Sequence, residues 1–117
     1  MRHLNKKIKL HKTTDQRRAM VKILANNFVM CGSIKTTPAR AKACQGYVEK
    51  LITKAKKQDL TAMRYLLTRI SKKAANKLYY EIAKTFLERN GGYTKILKLN
   101  ERRLKDASEM VILQLVK

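Results

Sequence analysis

Among its 117 residues the chain has no Trp, one Pro, two Cys and eight Asp plus Glu. With aromatics at 6%, little material exists for an aromatic-lined ligand pocket. Neither a small-molecule substrate nor a cofactor is therefore expected. Cys31 and Cys44 stand alone, without the CxxC pairs of a structural zinc site, and are expected to be reduced, buried and cytosolic. No apolar run approaches the ~20 residues that span a bilayer, and MRHLNKKIKLHK lacks the apolar stretch and cleavage site of a signal peptide. This basic start is Lys-rich, where a transit peptide is Arg- and Ser-rich, so it is expected to stay in a cytoplasmic mature protein.

What is abundant is positive charge. Against the eight acids stand 28 Lys plus Arg, a formal +20. A compact surface with that self-repulsion points to a polyanionic partner, nucleic acid before an anionic membrane. The charge is uneven: residues 1–57 hold 15 Lys and Arg against 2 acids, and residues 58–117 hold 13 against 6. The N-terminal half is expected to dominate anion binding. Residues 1–12, with Arg2, Lys6, Lys7, Lys9, Lys12, His3 and His11, contain no acid and cannot fold alone; they read as an arm that contacts nucleic acid.

Thr13-Thr14-Asp15-Gln16 opens a helix through a capping box, and Met20, Ile23, Leu24 and Phe28 recur at helical spacing until Gly32 ends it. Arg17, Arg18 and Lys22 project elsewhere on this helix, where part of it can meet phosphate. Ser33–Thr36 is short enough for a strand only. Thr37-Pro38 caps and opens a second helix to about Lys57, with Ala41, Cys44, Val48, Leu51, Ile52 and Ala55 buried. Asp59 and Ser71 cap two more, the last ending at Asn90 with Ala75, Leu78, Tyr79, Ile82, Phe86 and Leu87 inside. YTKILKL and EMVILQLV are strand-length, β-prone runs joined by the polar loop NERRLKDAS, an expected antiparallel hairpin. The fold class is therefore α+β in two layers, about four helices on a small mixed three-stranded sheet. One domain over 13–117 follows the arm.

Several tempting motifs fail on detail. GSIKTT has Ile34 where a phosphate-cradling P-loop requires Gly before its Lys, and Val29 and Met30 stand upstream. Lys35 and Thr37 remain single-phosphate contacts at a helix N-terminus. His3 and His11 share no spacing that fixes a metal, so no metal site is expected, and they suit phosphate or 2′-hydroxyl contacts. The acids are scattered into capping and pairing roles, Glu81 and Glu88 with Lys84, leaving no catalytic array. Tyr65, Tyr79 and Tyr80 fall among Leu and Ile and read as core. In RNGGYTKILKL the glycines follow a helix and precede a strand, the reverse of a phosphate loop. Gly91 is expected to end the helix in the left-handed region and Gly92 to turn the chain, with Arg89, Lys95 and Lys98 flanking a corner that touches RNA by its side chains.

Five segments in this order, MRH, HKTTDQRRAM, IKTTPARAKACQGYVEKLITKAKK, RNGGYTKILKL and KDASEMVILQLV, resemble the bacterial large-subunit ribosomal protein family numbered seventeen. The resemblance covers nearly the whole chain. It implies a non-catalytic α+β protein of the large subunit that binds 23S rRNA near the polypeptide exit tunnel, beside neighbouring large-subunit proteins. By that resemblance Arg2, His3, Lys6, Lys7, Lys9, Lys12, Arg17 and Arg18 form one rRNA-contacting region, and Lys35, Thr36, Thr37, Arg40 and Lys42 a second. Leu4 departs from the family by standing where relatives usually carry a basic residue. The alternative reading, a free nucleic-acid-binding regulator or nucleoid protein, shares the charge but needs a dimer interface and a groove-entering element. A membrane-surface role lacks the Trp and Phe of a lipid-facing stripe.

Overall fold

A computed structural model of the chain describes residues 1–116; Lys117, the last residue of the expected domain, lies outside the described residues. Helix α1 (Thr14–Cys31) starts at the expected capping box: the Gln16 N–H donates to Thr13 Oγ1 and the Thr13 N–H to Gln16 Oε1, both at 3.4 Å. Gly32 ends it at φ +80, which only glycine adopts without strain, and its N–H donates to the Phe28 carbonyl. Strand β1 (Ser33–Thr36) follows at once. Helix α2 (Pro38–Ala55) has Pro at its first turn, but Thr37 makes no side-chain capping bond, so its cap is positional. Helix α3 (Leu60–Arg69) is capped by Asp59, whose carboxylate accepts from the Ala62 N–H at 2.6 Å.

The fourth helix, α4, is capped by Ser71 and changes character along its length. It is α-helical over Lys72–Lys77, π-helical over Leu78–Ile82 and α-helical again over Ala83–Thr85. It stops short of the expected Asn90. Gln58, at φ +55 in the turn after α2, donates its side-chain amide to the Ala55 and Tyr79 carbonyls, each at 2.9 Å. One side chain thus satisfies the end of α2 and a carbonyl of the π turn.

Strands β2 (Thr94–Arg102) and β3 (Glu109–Leu115) form the hairpin, and β1 pairs with the other edge of β3, giving the order β1-β3-β2. Both pairings are antiparallel, so within the α+β class the sheet is wholly antiparallel instead of mixed. The direction of β1 is set by its partner β3, with Thr36 opposite Val111, a long-range choice that no local pattern encodes. β2 runs three residues past the expected boundary. Its register with β3 breaks between Lys98 and Arg102, and Arg102 resumes opposite Glu109.

The sequence stripe on α2 is buried as expected, from Ala41 to Ala55, and α2 packs against α1, α3, the π turn and the sheet. Phe28, Val29, Leu66, Leu78, Val111 and Leu113 close the core around it. Ile23 and Leu87, expected inside, are exposed, whereas Tyr93 is buried with its ring centre 5.3 Å from that of Phe86, the two rings tilted by 58°. Gly46 lies on the exposed side of α2, where glycine costs about 1 kcal/mol relative to alanine. Cys44 is buried, and burial pushes its thiol up to about 12; Cys31 is exposed, against expectation, because α1 ends there on its outer side.

Residues 1–12 contain neither helix nor strand. Two tight turns shape them, closed by Asn5 N–H to Arg2 carbonyl and Lys12 N–H to Lys9 carbonyl. Their central residues, His3 and Leu4, then Leu10 and His11, all have φ between 47 and 61. Those are the left-handed positions that glycine and asparagine favour, and leucine occupies them at a cost.

Candidate nucleic-acid interface

The capping box fixes where α1 begins and therefore where Arg17, Arg18 and Lys22 project. Arg17 reaches back, its guanidinium donating to the Lys12 carbonyl at 3.4 Å, which ties residues 1–12 to the helix. Ile8 and Leu10 then line a groove of about 460 Å³ with Arg17, Arg18 and Lys22 of α1, Tyr47 of α2 and Arg69 of α3. Tyr47 donates its hydroxyl to the Arg69 carbonyl at 2.8 Å, and its phenol is pushed up by burial, with Arg69 opposing. A second concavity of about 760 Å³ places Lys9, His11, Lys12 and Thr13 beside Ala39 in the first turn of α2. The N-terminal cations and the start of α2 therefore share one surface.

That surface has the electrostatics of an anion site. Arg2, Lys6, Lys7, Lys9, Arg18, Lys22, Arg40 and Lys42 are exposed, and among the described residues none of them makes an ion pair. The first turn of α2 carries no acid, and the uncapped Thr37 leaves its leading N–H groups without a side-chain acceptor. The positive end of an 18-residue helix thus faces the same way as the cations. Among the described residues no three His, Cys, Asp or Glu side chains gather where they could hold a metal.

Other expected contacts are placed differently. Thr36 is only 7% exposed in the sheet, the most buried of the expected contacts. Lys35 is exposed but engaged, its ammonium 2.6 Å from Glu101 across the sheet. Arg89 donates through Nε to the Gly91 and Gly92 carbonyls at 3.0 and 3.1 Å, holding the corner together. Gly92, not Gly91, takes the left-handed conformation there, at φ +61. The helix ends earlier than expected, so the left-handed residue is needed at the strand entrance. Lys95 lines a different concavity with Cys31 and Gln114. Tyr65 and Tyr79 are half-buried and Tyr80 is exposed, so only the first two belong with the core.

Three cations that the sequence reading passed over stand beside aromatic rings. Lys54 and Arg69 lie 5.5 and 5.1 Å from the Tyr65 ring centre, and Lys56 lies 5.1 Å from that of Tyr93. The available signal was Lys50 and Lys54, one turn apart on the outer side of α2. Lys56 also donates to the Tyr93 hydroxyl at 3.0 Å and to the Arg89 carbonyl. Burial acts to raise the Tyr93 phenol, but the Lys56 hydrogen bond and charge, with Thr53, hold it below its ordinary value. No helix among the described residues is long and apolar enough to cross a membrane.

Comparison with known proteins agrees with this architecture. A family model described as ribosomal protein L17 matches residues 20–116. The large ribosomal subunit protein bL17 of Persephonella marina is 45% identical over 118 residues, covering 99% of this chain and 95% of the relative. The proteins of the same name from a Sulfurihydrogenibium species and from Clostridium botulinum are 42% and 47% identical, covering 99% and 92% of this chain and 97% and 96% of the relatives. Such identity along almost the full length, with a family match running from α1 to the end of the sheet, shows that the chain belongs to the ribosomal protein L17 family.

Proposed function

We propose that this chain binds 23S rRNA near the polypeptide exit tunnel, using residues 1–12, the outer face of α1 and the start of α2 as one contact surface. Family membership makes it a structural, non-enzymatic protein of the large ribosomal subunit, working in the cytoplasm within the ribosome beside rRNA and other ribosomal proteins. The rRNA-contacting set is Arg2, His3, Lys6, Lys7, Lys9, His11, Lys12, Arg17, Arg18, Lys22, Thr37, Arg40 and Lys42, with Lys35, Thr36, Arg89 and Lys95 as peripheral members. Phosphate neutralisation and 2′-hydroxyl contacts supply the affinity, and the folded part holds the cations at fixed spacing, so base-specific reading is minor.

One observation carries this reading: the cations of residues 1–22 and of the α2 start have no acidic partners, whereas all three ion pairs among the described residues lie in the sheet and its hairpin. Unpaired cations release counterions when phosphate replaces them. If six to ten phosphates are neutralised, affinity for 23S rRNA should fall by roughly 10³ to 10⁵ between 50 and 200 mM salt. Titration against a 23S transcript across that range tests it, and salt-insensitive binding would refute it. In extracts at moderate salt the protein should sediment with large subunits; sedimentation apart from them favours a free nucleic-acid-binding protein.

A further inference from the structure

Away from the N-terminal surface, a concavity of about 520 Å³ lies where α2, α3 and the glycine turn meet. Gly46, Lys50, Lys54, Tyr65, Gly91 and Gly92 line it. Nothing inside the chain accounts for two of these glycines. A Cβ at Gly46 or at Gly91 would meet no atom within 4 Å, and neither residue has the positive φ that favours glycine. In mid-helix, moreover, glycine is unfavourable. Bare backbone on the wall of a concave surface suits close approach by another molecule.

The concavity also has a sign. Lys50 and Lys54 are exposed, and Lys54 is joined by Arg69 at the Tyr65 ring. Its one acid, Glu49, is turned to internal use: Oε1 accepts from the Thr94 hydroxyl at 2.8 Å and the Thr94 N–H at 3.3 Å. At the turn, the Arg89 guanidinium occupies the Gly91 and Gly92 carbonyls, and among the described residues neither glycine N–H donates to a protein acceptor. Two main-chain donors and two lysines are thus offered at one place, against the single Glu49 carboxylate, which Thr94 already engages through Oε1.

We infer that this concavity is a second RNA-contacting site, in which a phosphodiester strand passes over Gly46 and the Gly91-Gly92 turn between Lys50 and Lys54. The inference rests on the rRNA-binding reading and adds to it a contact remote from the N-terminal segment. An RNA backbone lying against α2 requires the missing Cβ atoms, because a side chain at position 46 stands where the strand must run.

Gly46→Gln tests this directly. The substitution favours the helix, so the purified full-length protein should melt at or above the wild-type temperature. Its affinity for 23S rRNA at 100 mM salt should nevertheless fall by about tenfold or more, the equivalent of one lost charged hydrogen bond. Lys50→Ala and Lys54→Ala should each make the salt slope shallower by about one. A truncation lacking residues 1–12 serves as reference. If it loses affinity while Gly46→Gln binds as wild type, the concavity proposal is overturned and the N-terminal reading stands; if neither change matters, both fall. If Gly46→Gln binds naked rRNA normally but fails to enter large subunits, a neighbouring protein fills the concavity, and the RNA assignment is equally overturned.

Discussion

The two ends of this molecule carry similar cations and use them differently. In residues 1–22 eight exposed or half-exposed Lys and Arg face solvent without an acid, apart from Asp15 in the first turn of α1. In the hairpin, Arg103 forks onto Asp106 at 2.9 and 2.5 Å, Arg102 lies 3.7 Å from Glu109, and Glu101 reaches Lys35 on β1. Three of the eight acids are thus spent on holding one hairpin and its sheet. Where an acid is close by, a cation maintains shape; where none is, it remains available to a polyanion. Position relative to carboxylates, more than the count of Lys and Arg, separates scaffold from the proposed contact surface.

Removing residues 1–12 together with Arg17→Ala and Arg18→Ala should produce the largest effect. The salt slope of 23S rRNA binding should become shallower by about one for each phosphate-bound cation lost. Arg102→Ala with Arg103→Ala removes charge from the hairpin instead, and its slope should move by less than about one in total. Equal slopes for the two variants would break the contrast. A smaller effect sharpens it: Glu101→Gln releases Lys35, so affinity at low salt should rise about two- to fivefold, the worth of an exposed ion pair. No gain would mean that Lys35 is not near RNA.

The smallest effect is local and depends on pH. The Arg103 guanidinium, with Ser108, holds the Asp106 carboxyl well below the usual carboxylate range. Since the folded value is the depressed one, the hairpin tip draws order from this pair above the ordinary carboxylate value of about 4, and loses it only as pH falls through the lowered value. Protection of the amides at residues 103–108, measured against intrinsic exchange at each pH, should therefore persist into moderately acid solution. In Asp106→Asn that protection should be reduced at every pH, and an unaltered profile in that variant would refute the tip geometry.

How far the sequence could be read followed the range of each interaction. The capping box at Thr13 and Gln16, the Asp59 and Ser71 caps and the α2 stripe involve residues three or four apart, and all were legible. The antiparallel seat of β1 beside β3 was not, because Thr36 meets Val111 far along the chain. The π turn was hidden as well: Ala75, Leu78, Ile82 and Phe86 keep ordinary helical spacing through it, and the stabilising Gln58 lies in another element. In the proposed contact surface, exposed cations could be named from charge alone. Which of them are neutralised, as Lys35 is by Glu101, required the fold. The concavity at Gly46 and Gly91 joins residues 45 positions apart, so neither glycine carried a readable meaning by itself.

The two turns near the N-terminus bear on entropy. Leu4 is exposed and Leu10 only half-buried, yet both sit in left-handed backbone, and among the described residues the one side-chain bond tying the segment to α1 is the 3.4 Å contact from Arg17 to the Lys12 carbonyl. Holding the first twelve residues in one shape therefore costs conformational entropy that the chain's own packing does not repay. Backbone order parameters of the free protein should drop just before the capping box at Thr13.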